Sequence, residues 1–202
     1  MTLISNLQTW WQTRHASAWT DWPDGDLLEH YRTAGSTAAM DLLIRRHCNA
    51  LYHFLLTLAD PVLAEDISQQ VWTGLIERPD QYQAQAASFR TWLFTVGRNR
   101  TVDELRRQQR WQWPSTDDSA IDRTIDDEHV TLTFTERDDL NEAFDQALTA
   151  LPFVQREAIS LQLEGFSLAD IALITHDKPE TIKSRLRFAR QQLKHSLEEN
   201  HD

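Results

Sequence analysis

FRTWLFTVGRNRTVDELRRQQRWQW, residues 89–113, is the stretch on which the reading of the whole chain turns. Phe89, Trp92, Leu93 and Val96 fall at i, i+3, i+4 and i+7, one face of a helix with a 3.6-residue period. Arg90, Arg98, Arg100, Arg106, Arg107 and Arg110 add cations, against only Asp103 and Glu104. Aromatic rings give unstacked bases a face to lie on, and guanidinium groups pair with phosphates. The same pattern also describes an amphipathic helix whose aromatics are core and whose arginines are solvated. The rest of the chain decides between the two.

The 202 residues suffice for one or two domains, and 41% hydrophobic with 25% charged residues is ordinary for a globular chain. Gly is 5 and Pro is 6, and no alternating run carries hairpin punctuation, so the fold class is all-α. No apolar run approaches the roughly 20 residues of a membrane span, and MTLISNLQTWWQTRH has no basic n-region, so a cytoplasmic location is expected. Cys48 is the lone cysteine and can form no internal disulfide. His47, Cys48 and His53 form a poor metal shell, because adjacent helical residues point about 100° apart. No metal, cofactor or small-molecule substrate is expected. The net charge of -11 argues against binding duplex DNA by overall charge, so any nucleic-acid role must rest on local basic patches and a partner.

Working back from residue 89, Ser88 is placed to cap that helix. Before the loop RPDQYQAQAAS, Asp60-Pro61 is a helix start: Asp60 as cap and Pro61 where no N–H is needed. LAEDISQQVWTGLIE then aligns Leu63, Ile67, Val71 and Leu75. Its other side shows Glu65, Asp66, Gln69, Gln70 and Thr73 with Trp72 beside it, an acidic and amide face with an aromatic anchor for a protein partner, or simply a solvated face. Residues 26–58 read as two antiparallel helices broken at Gly35. Residues 1–24 are an extension bearing Trp10, Trp11, Trp19 and Trp22, read as a helix packed on the next domain rather than on a membrane, since it has almost no Lys or Arg.

Beyond Trp113, residues 114–139 carry Asp117, Asp118, Asp122, Asp126, Asp127, Glu128, Glu136, Asp138 and Asp139 without an apolar period. They read as an acidic linker of roughly 25 residues, either a passive tether or a polyanion mimic. LNEAFDQALTALP and FVQREAISLQLEG follow as two helices. Then FSLADIALITHDKPETIKSRLRFARQQLK opens with Ser167-x-x-Asp170, a capping box. After a turn near Thr175 and His176, with Asp177 as candidate cap, a longer helix buries Ile182, Leu186, Ala189 and Leu193 and turns Lys183, Arg187, Arg190 and Lys194 outward. A short helix, a tight turn and a basic helix is the helix-turn-helix plan, whose second helix enters the major groove.

Taken together, these segments resemble bacterial RNA polymerase sigma factors of the extracytoplasmic-function (ECF) type. EDISQQVW (65–72) is similar to the family's polymerase-clamp helix, SFRTWLFTVGRNRTVDELRRQQR (88–110) to its promoter-melting segment, and residues 151–193 to its C-terminal domain. The resemblance spans roughly 25–197 and implies two small helical domains: a sigma region 2-like unit at 25–113 and a sigma region 4-like unit at 140–197, with a tail at 198–202. It further implies that Asp66, Gln69, Gln70 and Trp72 dock on the polymerase core enzyme. The loop before Phe89, together with Trp92, Arg98, Asn99 and Arg100, would hold a flipped base, and Arg106, Arg107 and Arg110 would grip phosphates. Thr181, Lys183, Ser184, Arg185, Arg187 and Arg190 would engage the upstream promoter DNA. It also implies an anti-sigma protein as a further partner and no catalytic residues. The departures are His176 and Asp177, where the family carries a turn glycine and an apolar residue; His accepts positive φ less readily than Gly.

A stand-alone helix-turn-helix regulator is the alternative. It has no use for an arginine-aromatic helix beside an acidic-amide helix. No Gly-rich phosphate loop, HExxH-like pair or nucleophile motif points to an enzyme.

Overall fold

The computed structural model describes residues 19–84, 87–112 and 139–199, with side chains described over 19–84, 87–108 and 143–198. The described residues are helical, with no strand among them: α1 Asp24–Ala34, α2 Thr37–Leu56, α3 Pro61–Glu77, a single 3₁₀ turn Pro79–Gln81, α4 Phe89–Gln112, α5 Asp139–Thr149, α6 Phe153–Leu163, α7 Leu168–Thr175 and α8 Pro179–Glu199. The expected extension before Trp19, the acidic linker up to Asp138 and the last residues of the tail lie outside the described residues.

Local chemistry sets three helix starts where the sequence predicts them. The Asp60 carboxylate accepts from the N–H groups of Val62 and Leu63 at 2.9 and 3.0 Å. Ser88 Oγ accepts from Thr91 N–H at 3.1 Å. Ser167 and Asp170 form the full capping box that opens α7. Each satisfies N–H groups that a helix start leaves without a carbonyl. Gly35 takes φ 66° at the end of α1.

The first unit packs α1 and α4 against α2 and α3. Leu27, Leu43, Leu51, Leu55, Leu75 and Leu93 are its fully covered centre. The α2–α4 crossing is close at Gly97, where an added Cβ would lie 3.0 Å from Leu51 Cδ1. At the N-terminal edge, Arg46 donates to the carbonyls of Trp22 and Thr20 at 2.8 and 2.6 Å and to Asp24 Oδ1 at 2.6 Å. His47 Nε2 meets Asp24 Oδ2 at 2.8 Å. Burial pushes the Asp24 carboxyl upward, but the hydrogen bonds and charges of His47 and Arg46 outweigh it and hold it below the usual range. The part of the Trp-rich extension that is described is thus tied down by polar bonds to its carbonyls.

The second unit is α5–α8. The buried Arg156 donates to the carbonyls of Thr149 and Leu151 at 2.7 and 3.2 Å, satisfying groups left over where α5 ends. The α8 stripe Ile182, Leu186, Ala189 and Leu193 is buried throughout, as its spacing requires. The core runs on from one unit to the other through Phe94 and Phe166, whose rings meet edge to face at 4.7 Å.

Candidate polymerase and nucleic-acid interfaces

The α3 face is polar and exposed where the sequence places it. Glu65, Asp66, Gln69, Gln70 and Thr73 all face solvent. Gln70 Nε2 donates to Asp66 Oδ2 at 2.8 Å and Gln69 Nε2 to Glu65 Oε1 at 3.2 Å, bonds at i, i+4 that align the amides along the helix. Trp72 departs from the expectation. Its side chain is only 6% exposed and lies in the core, so it stiffens the helix from beneath and offers no surface anchor.

Helix α4 has apolar residues on more than one side. Phe89 and Leu93 are buried, and Trp92 and Val96 are half-buried, so the aromatic face serves mainly as core. Tyr82 completes a three-ring group ahead of α4, 5.5 Å from Phe89 and 5.7 Å from Trp92. Its hydroxyl donates to the Ala87 carbonyl at 3.1 Å. Burial, with Asp24 nearby, pushes the Tyr82 hydroxyl pKa up and keeps it a donor. The sequence reading took in the loop before Phe89 without singling out Tyr82, which stands alone among polar residues with no period to flag it.

The arginines of α4 are mostly engaged. Arg100 Nη1 donates to Gln70 Oε1 at 3.3 Å, and its Nη2 would lie 3.3 Å from any Cβ at position 74. Gly74 therefore leaves the space in which Arg100 spans from α4 to the α3 face. Arg107 is bound to Glu104 through Nε and Nη2 at 2.8 and 2.7 Å, an exposed pair that competes only weakly with a phosphate. Arg106 is half-exposed, and the Arg110 side chain lies outside the described residues.

Arg98 and Asn99 do not face solvent in the expected way; both turn toward the second unit. Arg98 Nε donates to Glu157 Oε1 at 2.7 Å, and Asn99 Nδ2 lies 3.3 Å from His176 Nε2. Glu157 is 0% exposed, and its Oε2 has no hydrogen-bond partner among the described residues. Burial pushes its carboxyl up; the charge and hydrogen bond of Arg98, then the charge of Arg185, pull back only in part.

The second unit presents its basic helix openly. Lys183, Ser184, Arg187 and Arg190 are exposed on α8 and Thr181 is half-exposed near its start. Lys183 pairs with Glu180 at 2.7 Å, Arg190 donates to Gln162 Oε1 at 2.7 Å, and the Arg187 guanidinium sits 4.9 Å from the Phe188 ring. Arg185 instead turns back to Asp177, with Nη1 2.5 Å from Oδ2, so Asp177 anchors this arginine rather than standing free to cap α8. The turn itself is well formed. His176 takes the left-handed conformation at φ 60° and ψ 30°, and the Asp177 N–H reaches the Ala172 carbonyl at 3.1 Å, so the histidine fills the glycine role. His is among the residues that visit this region more readily than most.

Residues 43–111 match the family model for Sigma-70 region 2, and residues 141–193 match that for Sigma-70, region 4. The chain is 31% identical over 179 residues to the ECF RNA polymerase sigma factor SigL of Mycobacterium tuberculosis, covering 83% of this chain and 96% of the relative. The chain belongs to the ECF RNA polymerase sigma factors. A second ECF sigma factor, RpoE of Cereibacter sphaeroides, is 29% identical over 135 residues, 66% of this chain and 72% of that one. Among solved structures, the sigma factor RpoE of Bartonella quintana in complex with the anti-sigma factor NepR superposes with a TM-score of 0.64 at 28% identity, covering 78% of this sigma factor and 96% of that chain. CnrH in complex with the cytosolic domain of CnrY shares the fold, with a TM-score of 0.59 at 22% identity over 87% of this chain and 97% of that one. Among the described residues no helix is long and apolar enough to cross a membrane.

Proposed function

We infer that this sigma factor works in the cytoplasm, directing RNA polymerase core enzyme to chosen promoters without catalysis of its own. Its working units are 25–113 and 140–197, joined by the acidic 114–139 segment. Asp66, Gln69 and Gln70 dock on the polymerase, with Trp72 supporting them from the core. Trp92, Arg98, Asn99 and Arg100 hold a base unstacked from the melted downstream element, which costs a few kcal/mol and is offset by about 1–3 kcal/mol per stacked base. Arg106, Arg107 and Arg110 meet phosphates. Thr181, Lys183, Ser184, Arg187 and Arg190 engage the upstream duplex, and Arg185 sets the geometry of the turn through Asp177. An anti-sigma protein is the expected negative partner.

The observation that carries this reading is Arg100 lying on Gln70: the arginine helix and the acidic-amide helix share one core, an arrangement that serves a chain working on melted DNA while held by a larger protein. A stand-alone regulator needs neither surface. The test is a gel shift on promoter DNA with and without core polymerase. Specific binding should appear only with the core, whereas tight specific binding by the isolated chain would contradict the reading.

A further inference from the structure

Helix α1 begins without a side-chain cap: Pro23 stands at its N-cap position and makes no capping bond. An acidic residue in a first helical turn ordinarily serves the free N–H groups of its own helix. Asp24 is spent differently. One carboxylate oxygen takes Arg46 at 2.6 Å and the other meets His47 at 2.8 Å, both on α2. The Arg46 bond is charge-assisted, and a carboxylate held at both oxygens fixes how α1 sits along α2. The same guanidinium reaches the carbonyls of Thr20 and Trp22, so it also holds the turn that enters α1. The Trp19 and Trp22 rings then bracket His30 of α1 at 5.0 and 5.7 Å.

Helix α1 in turn braces the end of α3 and the segment that leads to α4. The Tyr31 hydroxyl donates to the Ile76 carbonyl at 3.1 Å, and Arg32 Nη1 donates to Asp80 Oδ1 at 3.1 Å. At Gly25 an added Cβ would lie 3.9 Å from Tyr82 Oη, so the α1 backbone runs beside the phenol. Tyr82 and Trp92 are half-buried against the core. Phe89, the third ring of that group, lies 5.6 Å from the His47 ring. The side chain that meets Asp24 therefore also backs the rings from the α2 side. A ring already fixed in place need not be ordered when a base arrives, so the cost of ordering it is not subtracted from affinity.

We propose that Asp24 is a positioning residue for the downstream-element site: through Arg46 and His47 it sets α1 on α2, and α1 presets Tyr82 and Trp92 for the unstacked base. The inference rests on the assignment of that site to melted promoter DNA. Asp24 acts through α1 and touches no nucleotide. The brace also gives the last residues of the Trp-rich extension a task, since the 19–22 turn hangs on the same arginine.

The test uses holoenzyme and a promoter found by run-off transcription, presented as the upstream duplex alone and as a fork with a single-stranded downstream element. In the fork, each downstream base is replaced in turn by an abasic nucleotide. At one position, removing the base should weaken wild-type binding about tenfold. Asp24→Ala should bind the intact fork about tenfold more weakly, and removing that base should then cost less than about twofold, the coupling expected of groups that act together. Affinity for the upstream duplex should change by less than about twofold, as for a site without shared partners. His47→Gln, whose amide can still donate to Asp24, should keep most of the wild-type base penalty, and His47→Ala should lose most of it. If Asp24→Ala forms no holoenzyme, Asp24→Asn carries the test, with a partial loss of the penalty expected. An undiminished base penalty in the Asp24 variant overturns the proposal. So does an equal loss on fork and upstream duplex, which makes Asp24 a support of the fold alone, and so does His47→Gln no better than His47→Ala. A wild-type holoenzyme with no base penalty at any downstream position overturns the assignment of the site itself, and the proposal with it.

Discussion

Helices α4 and α8 are both long, both rich in arginine, and used in opposite ways. On α8 one stripe is apolar and buried, and the cations stand on the other side with neighbours on their own helix or just across from it. On α4 no side is purely polar: Phe89 and Leu93 are buried in the first unit, Phe94 bridges from Phe54 to Phe166 of the second, and the arginines between them reach to α3, to α6 or to a neighbouring acid. A helix apolar on several sides is built to be surrounded. The contrast teaches that a count of basic residues does not measure readiness to bind DNA. What matters is whether each cation already has a partner that outcompetes a phosphate.

The largest expected effect comes from breaking a side chain of α4 that both units share. Phe94 is 0% exposed and packs on Phe54 at 5.3 Å as well as on Phe166. Phe94→Ala should cost about 3–5 kcal/mol in urea unfolding, whereas a cost near zero would show that the two units do not share a core. Next is the charge pair. Glu157→Ala leaves Arg98 without its counter-ion in a mostly covered position, and truncating one partner of such a pair costs about 3–5 kcal/mol when burial is complete; with Arg98 at 17% side-chain exposure, the lower end is expected.

The same carboxylate gives a pH signature that α8 lacks. Burial raises the Glu157 pKa above its ordinary value, so the folded chain holds that proton more tightly than the unfolded chain. Its contribution to stability is therefore full below the ordinary carboxylate range and is lost as pH rises through the raised value. Arg98 on α4, Arg185 on α8 and Asp177 in the turn are the charges acting on it. In Glu157→Gln the dependence disappears, so the stability of wild type relative to this variant should decline as pH rises above the ordinary carboxylate range; a flat difference contradicts the assignment.

Smaller effects sharpen the comparison from the α8 side. Arg187→Ala should weaken holoenzyme binding to the upstream duplex several-fold and reduce the salt slope by about one, with stability changed by less than about 0.5 kcal/mol. Asp66→Ala should leave unfolding equally unaffected and weaken polymerase pull-down. An unchanged pull-down would remove the α3 face from the docking surface.

How much of this was legible in the sequence follows the same divide. The α8 stripe, the Asp60 cap and the Ser167–Asp170 box are local signals, and the structure realises each of them. The all-α class was read from the low Gly and Pro counts and the lack of hairpin punctuation, and the family from the resemblance of residues 65–72, 88–110 and 151–193 to its segments. The roles of Arg98 and Asn99 in the folded chain were not legible, because their partners lie 59 and 77 residues away and no period links the two segments. Trp72 was misplaced for a related reason: a bulky ring one position along from Val71 widens the buried stripe of α3, and spacing alone cannot tell a wide core face from an exposed anchor. His176 appeared as a departure from a glycine turn, yet its backbone completes the turn while its ring supplies a contact to α4.

The most direct test of the central claim is run-off transcription on a genomic fragment library with purified core polymerase, with and without this chain. The account predicts new start sites, absent with core alone, that share an upstream duplex element and a melted downstream element and that vanish with Arg98→Ala. Transcription by core polymerase left unchanged when the chain is added would contradict it.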